Sequence, residues 1–200
     1  MFLFKKIEFI YYLIFYVLIF FLFNNFIFTK CNSGDCINGF GTFLDKYGSI
    51  YTGNFQNKKF HGKGIYTWSD NTQYNGNFKD GLRNGKGYFV IPNGITFVGE
   101  FKNDHYLKGK MTFSNGNTYN GNFKNGKFNG KGTFTTKGGL KYIGSFVDGR
   151  RNGQGIFTNP DGHKYVGNFK DGLFHGKGIY KYPSNKIYDG EFYQGKIKND

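Results

Sequence analysis

Cysteine, proline and acidic residues are all scarce in this chain of 200 residues. The two cysteines, Cys31 and Cys36, form no Cys-x-x-Cys pair and have no second Cys/His pair at metal-site spacing. That excludes a structural zinc site and a disulfide framework as the main source of stability. One local bridge stays open in an oxidising compartment, and palmitoylation in a cytosolic one. Three prolines accompany 32 glycines, yet aromatic residues make up 22% of the chain. A disordered tract is poor in Phe and Tyr, so the glycines do not mark low-complexity disorder. Asp and Glu total 13 against 27 Lys and Arg, for a net charge of +14. Such an excess attracts anionic lipid, nucleic acid or an acidic protein surface, and does not choose among them.

The charge is nearly absent from the first thirty residues, which hold only Lys5, Lys6, Lys30 and Glu8. Phe9 to Phe23 are apolar or aromatic without a break, and Phe26 to Phe28 resume after Asn24 and Asn25. The shorter run matches the core of a secretory signal peptide, and Phe9 to Phe28 reaches the ~20 residues needed to span a bilayer. The residues that follow, Thr29-Lys30-Cys31-Asn32, make a weak cleavage site. A retained single-pass anchor and a cleaved signal, leaving a secreted or lumenal product, both stay open, and a buried capping helix is the third reading. Lys5 and Lys6 on one flank against Lys30 and Lys46 on the other slightly favour a cytoplasmic N-terminus, with the rest in the lumen or outside.

From residue 39 onward the chain repeats itself. Tyr51, Tyr74, Phe97, Tyr119, Tyr142, Tyr165 and Tyr188 are spaced by 23, 23, 22, 23, 23 and 23 residues. Each is followed by glycine two residues later and by Phe four residues later, as in Tyr51-Thr52-Gly53-Asn54-Phe55. A second cluster comes after each of the first six, as in Gly62-Lys63-Gly64-Ile65-Tyr66, and Gly39-Phe40-Gly41-Thr42-Phe43 is an unpaired copy. Both clusters have period two, so in extended strands their aromatics and glycines share one face. Asp80-Gly81, Asn125-Gly126, Asp148-Gly149 and Asp171-Gly172 separate the clusters, and Asn93-Gly94, Asn115-Gly116 and Asp161-Gly162 separate the repeats. Each repeat therefore reads as a β-hairpin.

The expected fold is all-β: an elongated, single-layer, solenoid-like antiparallel ribbon preceded by one hydrophobic N-terminal helix. Six hairpins and two half-repeats predict fourteen strands, on the order of 65 Å at ~4.8 Å per strand. The domain reading is a signal anchor or signal peptide over 1–30, a linker over 31–38 and repeats over 39–200, with half-repeats at 39–50 and 188–200. In the third repeat Asp104-His105-Tyr106-Leu107-Lys108 carries an extra residue and Met111 stands for the second glycine, which predicts a local bulge or a tolerated loop variation.

These repeats resemble the MORN family, whose motif is a YxGxF/W cluster, a glycine-containing turn and a GxGxF/Y cluster at this period. The resemblance covers residues 39–200. It implies a twisted antiparallel ribbon, often dimerising near one end, that acts as a scaffold at membranes or cytoskeletal structures, with proposed but not uniform phosphoinositide binding. No catalytic domain accompanies the repeats in this sequence. The strand from Tyr188 to Phe192 would offer an edge for a homodimer, unless Tyr193–Asp200 blunts it.

Nothing in the sequence suggests chemistry of its own. His61 and His175 recur at one position five repeats apart, too far to share a metal. The glycine-rich strings never continue to a phosphate-binding loop, and no Ser or Cys has a plausible His and acid partner. No catalytic residue, cofactor or metal is expected. What recurs is lysine opposite the aromatics: Lys63, Lys86, Lys110, Lys131 and Lys177 in the middle of the GxG element, and Lys79, Lys102, Lys124 and Lys170 after the strand Phe. Read functionally, they form two columns facing anionic phospholipid; read plainly, they protect an exposed sheet from aggregation. Nucleic acid is disfavoured because the aromatics are needed inside the ribbon. The sequence thus points to a non-catalytic, membrane-associated scaffold with an unnamed protein partner.

Overall fold

The computed structural model describes residues 30–198, so the hydrophobic helix expected before the repeats lies outside the described residues. The strands are β1 (Lys30–Gly34), β2 (Phe40–Leu44), β3 (Ile50–Gln56), β4 (Lys59–Thr67), β5 (Gln73–Lys79), β6 (Leu82–Val90), β7 (Thr96–Lys102) and β8 (His105–Thr112). They continue with β9 (Thr118–Lys124), β10 (Lys127–Thr135), β11 (Lys141–Val147), β12 (Arg150–Thr158), β13 (Lys164–Lys170), β14 (Leu173–Lys181), β15 (Ile187–Tyr193) and β16 (Lys196–Ile197). All 16 lie in one sheet in sequence order, each antiparallel to the next. At ~4.8 Å per strand the ribbon is on the order of 70 Å long. No helix of the described residues is long and apolar enough to cross a membrane.

The fourteen expected strands are β2 to β15, and one more is added at each end. The segment read as a linker begins with β1, which pairs with β2. At the other end β16 pairs Ile197 with Phe192 and Lys196 with Tyr193, covering only the C-terminal end of the edge expected to be free for a homodimer. The exposed part is Ile187 to Gly190.

Two kinds of turn alternate. At one margin the hairpins close through two residues that both have positive φ: Asp80 (53°) with Gly81 (89°), Asn125 (51°) with Gly126 (74°), Asp148 (48°) with Gly149 (86°), Asp171 (51°) with Gly172 (92°). That combination matches the right-handed twist of the flanking strands. Asn57-Lys58 and Asn103-Asp104 adopt it without glycine. At the other margin a four-residue turn ends on a left-handed residue, as in Trp68–Asn71, where the Asn71 amide donates to the Trp68 carbonyl at 3.0 Å.

An aromatic ring lies over a pair of facing glycines in each complete hairpin, a tyrosine in five of them and Phe97 in the third. Gly53 opposes Gly64, Gly121 opposes Gly132 and Gly144 opposes Gly155, and the rings of Tyr51, Tyr119 and Tyr142 cover these pairs. The Tyr51 hydroxyl donates to the Asn54 carbonyl at 2.8 Å, and Tyr74, Tyr119, Tyr142 and Tyr165 make the same bond. The glycines are therefore the floor on which the ring lies, a stronger demand than the spacing between rings that the sequence suggested.

Every complete hairpin carries a bulge, where the sequence predicted one only in the third repeat. Asn54 stands opposite three residues, His61-Gly62-Lys63, and the first glycine of each GxG element supplies a left-handed backbone: Gly62 at 61°, Gly85 at 96°, Gly130 at 69°, Gly153 at 80° and Gly176 at 62°. In the third hairpin Leu107 holds that place. A leucine does not enter the left-handed region readily, and the bulge there shrinks to Leu107 alone, between the pairs Glu100–Lys108 and Phe101–Tyr106.

The bulge bends the second strand so that its near end returns over the tyrosine. Phe60 stacks on Tyr51 at 3.9 Å between centroids, Phe128 on Tyr119 at 3.7 Å and Phe174 on Tyr165 at 4.0 Å. The Phe of the next repeat closes the side, with Phe78 edge-on to Tyr51 at 5.1 Å and Phe146 to Tyr119 at 5.2 Å. A single sheet thus hides Tyr51, Tyr74, Tyr119, Tyr142 and Tyr165 to 0% exposure. Burial of this kind stabilises by about 1.5–3 kcal/mol per side chain.

Adjacent hairpins are also tied at their tips. The second turn residue donates its amide to a carbonyl one hairpin back: Gly81 to Phe60, Asp104 to Arg83, Gly149 to Phe128, Gly172 to Arg151 and Gly195 to Phe174. Among the described residues the matching bond from Gly126 to the shortened third hairpin is missing.

The two glycine classes should respond differently to substitution. A Cβ on Gly132 would sit 2.6 Å from the Tyr119 hydroxyl, whereas one on Gly126 would meet nothing within 4 Å. Gly132→Ala is expected to cost about 3 kcal/mol or more through overpacking, and Gly126→Ala about 1 kcal/mol through its positive φ. Urea denaturation of both variants checks this, and equal midpoints would contradict the role assigned to the glycine floor.

Candidate interaction surfaces

The inner face exposes what stacks over the tyrosines. The second residue after each tip turn runs Phe60, Arg83, Tyr106, Phe128, Arg151 and Phe174, a column that sequence reasoning passed over although its period is the same 23 or 22 residues. In the second and fifth hairpins a guanidinium replaces the ring. Arg83 lies 5.8 Å from the Tyr74 centroid and Arg151 lies 5.7 Å from that of Tyr142. Arg83 is held by Asp104, with Nε 3.0 Å from Oδ1 and Nη2 donating to the Asp104 carbonyl at 2.9 Å. Arg151 donates to the Gly172 carbonyl, and no carboxylate of the described residues lies within ion-pair distance. Burial pushes the Arg151 pKa down, against a smaller opposing effect of Tyr142.

On the outer face the GxG lysines alternate along one row with the residue between the first glycine and Phe. It runs Asn54, Lys63, Asn77, Lys86, Glu100, Lys108, Asn122, Lys131, Ser145, Gln154, Asn168, Lys177 and Glu191. Lys63, Lys86, Lys131 and Lys177 are exposed there, as the period implied. Lys110 is not in this row. Gly109 pairs with Gly99 and so takes the second-glycine place, which puts Lys108 in the row and Lys110 opposite Val98. Glu100 sits between Lys86 and Lys108 and interrupts the positive charge.

The other column, Lys79, Lys102, Lys124 and Lys170, is exposed beside the tips, where Lys59, Lys127 and Arg150 extend it. Arg150 makes a solvent-exposed pair with Asp171 at 3.8 Å, of little energetic weight. Between the two columns and the far margin lies an apolar row that the sequence reading missed. Ile143, Ile156, Val166 and Ile179 face one another across four strands and all are exposed.

The histidines are dispersed. His61 and His175 occupy the bulges of β4 and β14 rather than turns, His105 opens β8, and His163 meets the Tyr180 hydroxyl at 2.9 Å through Nδ1. Cys31 and Cys36 are joined in a disulfide at the N-terminal end, their Cα atoms 5.8 Å apart.

The sequence model of the MORN repeat matches residues 51–73, 74–96, 108–118, 119–141, 142–164 and 165–186. The chain belongs to the MORN repeat family. The partial third match coincides with the hairpin whose bulge is reduced. No curated protein matches the chain. Among solved structures, the TCP domain of SAS-4 from Drosophila melanogaster, in complex with a proline-rich motif of Ana2, aligns at 17% identity over 65% of this chain and 72% of that one, with a TM-score of 0.42. The TCP10c domain of Drosophila melanogaster Sas-4 aligns at 12% identity over 82% of this chain and 100% of that one, with a TM-score of 0.41. At that level neither likeness bears on function.

MORN arrays are generally non-catalytic interaction modules, and in this one the enclosed phenols are the groups whose titration the fold displaces most. Burial pushes the pKa of Tyr51, Tyr74, Tyr119 and Tyr142 up to about 12. The unfolded chain loses these protons near pH ~10, while the folded chain retains them. The stabilisation is complete below pH ~10 and disappears as the pH climbs through the folded value. Phenolate absorbance should therefore show a late-titrating group of tyrosines, with stability falling most steeply between pH ~10 and ~12. A titration with every tyrosine ionising near ~10 would contradict the enclosure.

Proposed function

We propose that this MORN ribbon is a non-enzymatic interaction scaffold working on the lumenal or extracellular side of a membrane, to which residues 1–30 deliver it. The observation that carries the reading is the Cys31–Cys36 disulfide, placed just after the hydrophobic run and closing the end of the sheet. Disulfides persist in oxidising compartments and are rare in the cytosol. Bonded sulfurs are not available for palmitoylation, the cytosolic alternative. The flanking lysines, Lys5 and Lys6, favour the same orientation. A retained segment would tether the ribbon, and a cleaved one would release it.

In the tethered form the protein should resist thiol alkylation until reductant is added, and a C-terminal tag should survive protease in intact membranes. Lysine-directed crosslinking in those membranes should join the ribbon to another protein. Free thiols and a digestible tag would overturn the compartment, and a ribbon that crosslinks to nothing would overturn the scaffold.

Contact with anionic phospholipid is a second reading tied to the opposite topology, in which the lysine rows would face the anionic cytoplasmic leaflet. Lysines near a charged membrane contribute about 1 kcal/mol each. Replacing Lys63, Lys86, Lys131 and Lys177 by glutamate is expected to abolish sedimentation with phosphatidylserine liposomes. Undiminished sedimentation would remove lipid from the reading.

A further inference from the structure

The second and fifth hairpins are built alike, and their differences define a vacancy in the fifth. Arg83, Tyr74, Phe89 and Phe101 have their counterparts in Arg151, Tyr142, Phe157 and Phe169. The guanidinium of Arg83 stands 5.4 Å from Phe89 and 5.3 Å from Phe101, and that of Arg151 stands 5.6 Å from Phe157 and 5.4 Å from Phe169. The frames are the same; what fills them is not.

In the second hairpin the chain occupies the space beside the guanidinium with two of its own groups. Trp68 lies 4.6 Å from Tyr66, 5.9 Å from Phe89 and 5.8 Å from the Arg83 guanidinium, and the Asp104 carboxylate pairs with Arg83. In the fifth hairpin Thr136 stands where the tryptophan would be and Gly172 where the aspartate would be. A cavity of about 440 Å³ opens there, walled by Phe134, Leu140 and Phe146 and lined by Thr136, Arg151 and Gly172. A volume of this order suits a side chain the size of an indole with a neighbouring polar group.

We infer that this cavity receives an acidic peptide segment of a partner protein, an aromatic side chain taking the place of the Trp68 indole and an adjacent carboxylate taking the place of Asp104. The guanidinium supplies planar donors for a carboxylate and a face for the ring. Its one bond to protein in the described residues is to the Gly172 carbonyl, so donors remain for a ligand. The net charge of +14 adds a long-range preference for an acidic partner. The inference rests on the scaffold reading and gives it a site and a ligand chemistry.

The molecule supplies its own blocking variant. Asp104 has φ 67° and Gly172 has φ 92°, and a Cβ on Gly172 would meet nothing within 4 Å. Trp68 and Thr136 open the same turn, each amide donating to the carbonyl four residues on. Thr136→Trp with Gly172→Asp should therefore rebuild the filled arrangement, the burial of the indole and the new ion pair offsetting the positive φ at position 172. The probe is a capped pentapeptide with tryptophan between aspartate and glutamate, titrated calorimetrically into the wild-type protein. Saturable binding is expected, weakened about tenfold or more by Arg151→Gln. It should be lost in the filled double variant, and weakened when the peptide acids become amides or its tryptophan becomes alanine. Absent binding to the wild type, or equal binding to the filled variant, would overturn the inference. So would self-association of the wild type that the filled variant abolishes, since it would assign the cavity to a second copy. Crosslinking of the filled variant separates the two readings: protein crosslinks that persist without peptide binding in the wild type leave the scaffold standing and reject the cavity alone.

Discussion

The ribbon depends on a phenol ring lying flat on bare backbone. Two glycines face each other across a strand pair, and only without Cβ atoms can Tyr51 or Tyr119 settle onto them and reach the carbonyl three residues on. Once seated, the ring is a surface for others: Phe60 or Phe128 above it, the Phe of the next hairpin at its side. Aromatic pairs contribute about 0.5–1.5 kcal/mol beyond their buried area, so each contact is modest and the array is held by their repetition. The glycine bulge belongs to the same requirement, because it turns the second strand back over the ring. A sheet one layer thick thereby acquires an interior.

The parts of this arrangement that were legible in the sequence follow strict spacing. The period, the alternation of Tyr, Gly and Phe, and the Asp-Gly and Asn-Gly turns are strand and turn chemistry, and they reappear as the register that pairs Gly53 with Gly64 and Tyr51 with Tyr66. The bulges were less legible because Gly62 and Gly64 look equivalent in the motif, although one adopts positive φ and the other is packed beneath Tyr51. Leu107 was the available signal, since it marks the one complete hairpin where the left-handed glycine is replaced. Treating Met111 as the displaced residue instead shifted the reading by two positions and assigned Lys110 the place of Lys108.

Groups that act across repeats were harder to see. Asp104 and Gly172 look like ordinary turn residues, yet each sits against an arginine 21 positions earlier. Trp68 and Thr136 likewise occupy a turn position that varies freely from repeat to repeat, and only the fold places them beside those arginines. The terminal strands were missed for a related reason: β1 has none of the repeat motif, and it joins the sheet by backbone pairing alongside the bridge between Cys31 and Cys36.

The missing tip bond between the third and fourth hairpins has a mechanical meaning. Elsewhere neighbouring hairpins are fastened by strand pairing, by aromatic contacts and by an amide at the tip, so bending must stretch all of them together. At Gly126 the outermost fastening is gone, and that is where leverage against bending is greatest. The junction between the third and fourth hairpins therefore keeps its strand pairing and its aromatic contacts but has one fastening fewer than the other junctions, so a force applied across the ribbon meets least resistance at the tip beside Gly126.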